Sequence, residues 1–228
     1  MERLIVTLDG PAGSGKSSVA RQLAQRLGVA FLDTGAMYRG LTAGALDRGI
    51  HPAEQLEQVA QLARDEPVRF DFCHDPPRLH LGDRDVTDRL RDADVTQYVS
   101  DVAAHREVRQ VLVEAQRAIG REHPRLVTEG RDQGSVVFPR ATVKFYLDAR
   151  PEVRAERRAK QLQEAGREAD VEAIRLAIIA RDHRDSTRAD GPLVCPNDAQ
   201  RIDTSGLTQD EVVALLETRV REAVEATS

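Results

Sequence analysis

The sequence predicts an α/β fold, a five-stranded parallel sheet with helices on both faces, and three observations carry that prediction. Short apolar runs near residues 4–8, 29–32, 126–129, 142–147 and 201–203 alternate with stretches of helical periodicity. Each polar motif falls at the carboxyl end of one of these runs, where open α/β sheets bind ligands. The first run leads directly into Gly10-Pro11-Ala12-Gly13-Ser14-Gly15-Lys16-Ser17-Ser18, and a helical pattern begins there.

That segment matches the spacing G-x-x-x-x-G-K-[ST]. Gly10, Gly13 and Gly15 lack a Cβ, so the backbone can turn its N–H groups inward. The helix expected over Ser17 to Leu27 aims the positive end of its dipole at the same point. The result is a concave anion site. Lys16 reaches phosphate oxygens in such a loop, and the Ser17 hydroxyl is placed to ligate a Mg²⁺ bridging them. The motif implies a nucleoside triphosphate and leaves its reaction partner open.

The 228 residues suffice for one large domain with a buried core. A formal net charge of −5 argues against a surface that coats nucleic acid. Lysine occurs only at positions 16, 144 and 160, so nearly all positive charge is guanidinium, which grips oxyanions through a planar fork. Cys73 and Cys195 stand in no metal or redox spacing, and no apolar run approaches membrane-spanning length. With no signal peptide in view, the reading is a cytoplasmic protein, monomeric, without nucleic-acid or membrane partners.

After the first helix, Val29 to Leu32 reads as a buried strand, and Asp33 or Thr34 caps a helix running from near Gly35 to Arg48. A weaker amphipathic helix is expected over Pro52 to Arg64. The period then changes: Val68 to Phe72, Arg78 to Leu81 and Asp85 to Thr87 alternate as strands, the last two joined by a Gly82-Asp83 turn. These form an antiparallel insert at 65–91. Residues 92–122 are helical, and Ser100 and Arg109 lie nine positions apart. That separation is about 900° of rotation and puts them on opposite faces of a straight helix. If both meet one ligand the helix breaks, and the break is expected near His105.

Leu126 to Thr128 leads into Glu129-Gly130-Arg131-Asp132-Gln133-Gly134, and Thr142 to Leu147 ends at Asp148. An arginine-rich helical hairpin follows. Arg154, Arg157 and Arg158 share a helix face, and Gln161 to Asp170, containing Gly166, reads as a mobile tip. In the second helix Ile174, Ala177 and Ile178 form an apolar stripe. Arg181, Asp185 and Arg188 fall within about 40° of Ile174 on the helical wheel. Charges that continue an inward stripe line a cleft and are paired there. A strand at Arg201 to Asp203 and an amphipathic helix close the chain. We divide it into a core (1–64, 92–150 and 190–228), the insert (65–91) and a lid region (151–189).

His183-Arg184-Asp185 looks like a protein-kinase catalytic loop, but Asp190 stands where asparagine is required and no D-F-G follows. Over nearly its whole length the chain instead resembles the bacterial cytidylate kinases, which are nucleoside monophosphate kinases. The resemblance rests on Gly10 to Ser18, Leu32 to Arg39, Gly130-Arg131-Asp132, Val136 to Pro139, and the R-D-x-R-D-x-x-R pattern from Arg181 to Arg188. It implies a P-loop kinase core with a substrate-side insert and a helical lid. It also implies transfer of a phosphoryl group from ATP, with Mg²⁺, to CMP and dCMP.

By that resemblance Arg39, Arg131 and Arg188 hold the acceptor's phosphate, and Ser100, Arg109 and Asp132 read cytosine. Arg181 and Asp185 contact the sugar, Thr34 stands near the acceptor, and Arg154, Arg157 and Arg158 close over the ATP phosphates. Catalysis falls to Lys16, Arg131, Arg188 and these lid arginines. Glu129, Gln133 and Ser135 depart from the family pattern beside Arg131 and Asp132. The loop by itself also fits a kinase for AMP or UMP, or a nucleotide-driven switch.

Overall fold

The computed structural model describes residues 3–74, 76–164 and 166–226. Asp75, inside the expected insert, and Ala165, at the expected lid tip, lie outside the described residues. The chain opens with β1 (Leu4–Asp9), α1 (Lys16–Leu27), β2 (Ala30–Asp33) and α2 (Thr34–Leu46). It continues through α3 (Leu56–Asp65), the short strands β3 (Val68–Asp71), β4 (Arg78–Leu81) and β5 (Arg84–Asp85), then α4 (Ala93–Ala104) and α5 (Arg106–Glu122). β6 (Arg125–Glu129), β7 (Val143–Asp148), α6 (Pro151–Glu164), α7 (Val171–Thr187), β8 (Gln200–Asp203) and α8 (Gln209–Glu225) follow. Two compact units result: Met1–Leu32 with Pro124–Ser228, and Asp33–His123.

The first unit is built on a five-stranded parallel sheet in the order β2-β6-β1-β7-β8. β1 lies at its centre, with Val6 opposite Val127 on one side and Val143 on the other. Every residue of β1 is buried, as a strand covered on both faces requires. Leu4, Val6 and Leu8 share one face through the two-residue period and pack with Phe145, with Val19 and Leu23 of α1, and with Val213 and Leu216 of α8. Burying each such side chain contributes about 1.5–3 kcal/mol. Leaving β1 the chain turns at Gly10, whose φ is +146°. A Cβ there would stand 2.0 Å from the Leu147 carbonyl oxygen, so only glycine lets the loop pass this close to β7.

In the second unit α2 rests on β4 through Gly40 and Gly44, one turn apart. Cβ atoms at these positions would lie 2.3 Å from Leu79 Cδ2 and 2.0 Å from Leu81 Cδ2. Two interior glycines weaken a helix by about 1 kcal/mol each, and the close helix–strand packing offsets that cost. The antiparallel sheet runs β3-β4-β5. Its third strand is shorter than expected, because Thr87 accepts the Leu79 N–H at 2.8 Å through its hydroxyl and the chain winds into a 3-10 turn at Thr87–Arg89. α3 likewise begins at Leu56 and not at Pro52, since the His51 N–H donates to Gln55 Oε1 at 2.7 Å and holds an intervening turn. Asp33, the alternative to Thr34, is the cap of α2 and accepts from the Ala36 N–H at 2.9 Å.

The long helical stretch breaks at His105, with φ −72° and ψ 122°, and its carbonyl then receives the Arg109 N–H to start α5. Among the described residues no helix is long and apolar enough to cross a membrane.

Candidate active site

The glycine loop lies between β1 and α1. Gly13 and Gly15 have φ of +76° and +85°, the conformation their lack of a Cβ permits. Residues Lys16, Ser17 and Ser18 form the first turn of α1, where backbone N–H groups have no acceptor inside the helix. Lys16 is buried, and its ammonium donates to the Pro11 carbonyl at 2.6 Å and to Ser14 Oγ at 3.2 Å. Burial, with the Arg131 and Arg181 guanidiniums nearby, lowers its pKa to about 7. Ser17 Oγ donates to Glu129 Oε1 at 2.7 Å, which joins a hydroxyl in the first turn of α1 to a carboxylate at the carboxyl end of β6.

β6 leads into the segment carrying Arg131 and Asp132, followed by a π-helical turn at Gln133–Val137. Arg131 Nε donates to Asp185 Oδ2 at 2.8 Å. Arg181 Nε stands 3.9 Å from the same oxygen. Burial opposes charge on both members of the Arg131–Asp185 pair. Their mutual attraction and hydrogen bond overcome it, so the guanidinium is raised and the carboxyl is lowered. Arg188 Nη2 is 4.0 Å from Asp132 Oδ2, and its Nε donates to the Gly191 carbonyl at 2.6 Å. Lys16, Arg131, Arg181, Asp185, Arg188 and Asp132 therefore gather at the carboxyl end of this sheet. The inward stripe of α7 is narrower than its pattern suggested: Ile178 and Asp185 are buried, whereas Ala177 is exposed.

The lid arginines do not converge. Arg154 is buried, donating to the carbonyls of Ala149 at 2.8 Å and Ala12 at 2.9 Å and to Asp182 Oδ2 at 2.5 Å. Arg157 is committed to the loop after β8, with Thr204 O at 2.6 Å and Leu207 O at 3.2 Å. Arg158 is exposed and donates to Gln161 Oε1 at 3.4 Å. The arginines that sequence spacing assigns to one face separate because Arg154 and Arg157 find backbone carbonyls in different loops.

In the second unit Arg39 donates to the Leu90 carbonyl at 3.3 Å and to Thr96 Oγ1 at 3.1 Å. Arg109 is buried on α5 with Tyr38 Oη at 3.4 Å. Ser100 lies on α4, and Thr34 is buried at the start of α2.

Three polar contacts had no counterpart in the sequence reading. Asp9 is buried and accepts from the Gln133 N–H at 2.8 Å and the Gly134 N–H at 2.7 Å, so the end of β1 braces the turn after Asp132. Burial raises its pKa to about 7, against the lowering effect of those two bonds. Buried Gln133 accepts from Thr128 Oγ1 at 2.9 Å. Asp182 bonds the Ala12 N–H at 3.0 Å. Its signal was present, since it sits next to the inward stripe of its helix, one turn before Asp185.

The cytidylate kinase family model matches residues 6–222. The chain is 46% identical to a cytidylate kinase of Corynebacterium efficiens across 93% of this chain and 92% of that protein. It is 44% identical to a cytidylate kinase of Mycobacterium leprae across 95% of each. This chain belongs to the cytidylate kinase family. As a member of that family it is a nucleoside monophosphate kinase by class, and its parallel sheet with the glycine loop after the first strand is the P-loop kinase core expected from sequence. A crystal structure of an uncharacterized protein from Eubacterium ventriosum shares the fold, with a TM-score of 0.53 at 11% identity over 96% of this chain and 99% of that one.

Proposed function

We infer that this chain transfers the γ-phosphoryl group of ATP to CMP and dCMP, giving ADP with CDP or dCDP, in pyrimidine nucleotide metabolism. The observation that carries the reading is the arginine cluster of Arg131, Arg181 and Arg188, held by Asp185 and Asp132 beside Lys16. Donor and acceptor are both phosphate anions, and their repulsion grows once water is excluded. Several guanidiniums offset it and stabilise charge on the in-line transition state. The nucleophile is an anionic phosphate oxygen, so the reaction calls for no strong general base.

The amides and Lys16 of the segment Gly10, Pro11, Ala12, Gly13, Ser14, Gly15, Lys16, Ser17 and Ser18 cradle the donor phosphates, whose oxygens replace the Pro11 carbonyl as partner of Lys16. Mg²⁺ enters with ATP as part of that substrate. Among the described residues no cluster of His, Cys, Asp and Glu could hold a metal ion by itself. Ser17 Oγ and Glu129 are hard oxygen donors suited to Mg²⁺. Arg39, Arg131 and Arg188 hold the acceptor phosphate. Ser100, Arg109 and Asp132 read the base, Arg181 and Asp185 bear on the sugar, and Thr34 stands by the acceptor. Arg158 serves the donor phosphates, while Arg154 and Arg157 act through the loops they anchor.

An ionised Asp132 accepts from the cytosine amino group, whereas uracil would face it with a carbonyl oxygen. The α6–α7 hairpin is the lid that keeps bound ATP from water. The enzyme works as a cytoplasmic monomer with no nucleic-acid partner. A coupled ADP assay with CMP, dCMP, UMP and AMP tests the reading: diphosphate should form with CMP and dCMP. Slow phosphate release independent of any acceptor would make the protein a nucleotide-driven switch, and turnover of AMP or UMP alone would replace the acceptor.

A further inference from the structure

Ala12 is gripped on both of its backbone groups by two side chains from distant helices. Its N–H donates to Asp182 Oδ1 at 3.0 Å, and its carbonyl accepts from Arg154 Nη1 at 2.9 Å. The two side chains are joined to each other, Arg154 Nη1 lying 2.5 Å from Asp182 Oδ2. Arg154 is itself fixed at a third point by the Ala149 carbonyl, and its side chain is only 5% exposed. The pair presents an acceptor and a donor to one residue, as a neighbouring β-strand would. The loop is also pressed against both helices next door, because a Cβ on Gly13 would touch Arg154 Cβ at 3.4 Å and Ile178 Cδ1 at 3.6 Å. One turn further along α7, Asp185 holds Arg131. The helix thus spends one carboxylate on the glycine loop and the next on the arginine cluster.

We propose that Asp182 is a positioning residue of the donor site: together with Arg154 it clamps Ala12 and fixes the glycine loop in the shape that presents its amides to the phosphates of ATP. The proposal rests on the reading of that loop as the ATP site. A hydrogen bond to a charged partner is stronger than a neutral one, and both partners here carry charge. With the clamp broken, the loop must lose conformational freedom on binding, so ATP affinity falls while the acceptor side is left as it was.

Asp182→Asn keeps an oxygen for the Ala12 N–H but removes the charge that holds Arg154. Arg154→Lys keeps charge but loses the fork that reaches both Ala149 and Ala12. Each variant is measured for KM of ATP, KM of CMP and kcat, for ADP binding by calorimetry, and for melting temperature. We expect each to raise the ATP KM and the ADP Kd about tenfold with the CMP KM within about twofold, and the double variant to add little to either single one. The proposal is overturned if ATP and CMP constants rise together in folded variants, if neither moves, or if the two changes add independently. Failure of both variants to fold would also overturn it, in favour of a structural role alone. Should the wild-type protein make no CDP, the function reading fails, and ADP binding still decides whether the clamp acts.

Discussion

Lys16 lies buried with two guanidiniums nearby, and its pKa falls from 10.5 to about 7 in the nucleotide-free protein. At pH 8 a group with that pKa holds only about 0.1 proton. Donor phosphates placed against the ammonium favour its charged form and restore its pKa by two units or more, so that ~0.9 proton is taken up for each ATP bound. Asp9, also near 7, is about 90% ionised at pH 8, and phosphates nearby would make it take up protons too. Lys16→Arg separates the two, because a guanidinium stays charged throughout and leaves only the share of Asp9. The assay is titration calorimetry of MgATP in buffers of different ionisation enthalpy, where the slope of observed heat against buffer enthalpy gives the protons exchanged. The share of Lys16, wild type minus Lys16→Arg, should be about 0.8–0.9 proton at pH 8 and fall toward half at pH 7. Zero uptake in the wild type, or equal uptake in both proteins, would show that Lys16 is already charged and that burial does not govern it.

The same two groups set the pH dependence of stability without nucleotide. The raised Asp9 pKa stabilises the fold below about pH 4 and loses that contribution as pH climbs through about 7. The lowered Lys16 pKa stabilises it above 10.5 and loses that contribution as pH falls through about 7. A melting-temperature series should therefore dip near pH 7, and Asp9→Asn should flatten its acidic limb. Asp132→Ala should cut kcat/KM for CMP on the order of 100-fold or more while ATP affinity changes little; parallel losses in steady-state kinetics would remove the residue from base reading. Gly10→Ala places a Cβ on the Leu147 carbonyl at a φ of +146°, and should cost at least about 3 kcal/mol in urea unfolding. Gln133→Leu strands the buried Thr128 hydroxyl and should cost about 1–3 kcal/mol, most of it recovered by adding Thr128→Val.

Features that depend on local periodicity could be read before any coordinates. The strand at Leu4–Asp9, the glycine loop and the helix behind it follow from an apolar run, three glycines and one lysine. The break at His105 was expected only on the condition that Ser100 and Arg109 meet one ligand, as the family resemblance implies, since one straight helix cannot turn both to the same side. Thr87 shows where such reading ends. Its alternation is that of a strand, but its hydroxyl competes for a backbone N–H of the neighbouring strand and stops the ladder two residues early.

Partnerships between distant segments were the part that could not be read, because periodicity reports which face a residue occupies and not what meets it there. Arg154, Arg157 and Arg158 have the spacing of a common face, and a polar face in an α/β protein is equally good for a ligand, a loop or water. What separates them is the sheet topology, which brings the loop after β1 to Arg154 and the loop after β8 to Arg157. A guanidinium with five donors bonds the carbonyls that the fold places within its reach. Asp182 is the converse case. Its helix position beside Ile178 and Asp185 already marks it as inward, and an inward carboxylate must be paired because burial without a partner is costly. The pattern thus required a partner for Asp182, but only the crossing of α7 over the glycine loop decided that the partner would be the backbone of Ala12.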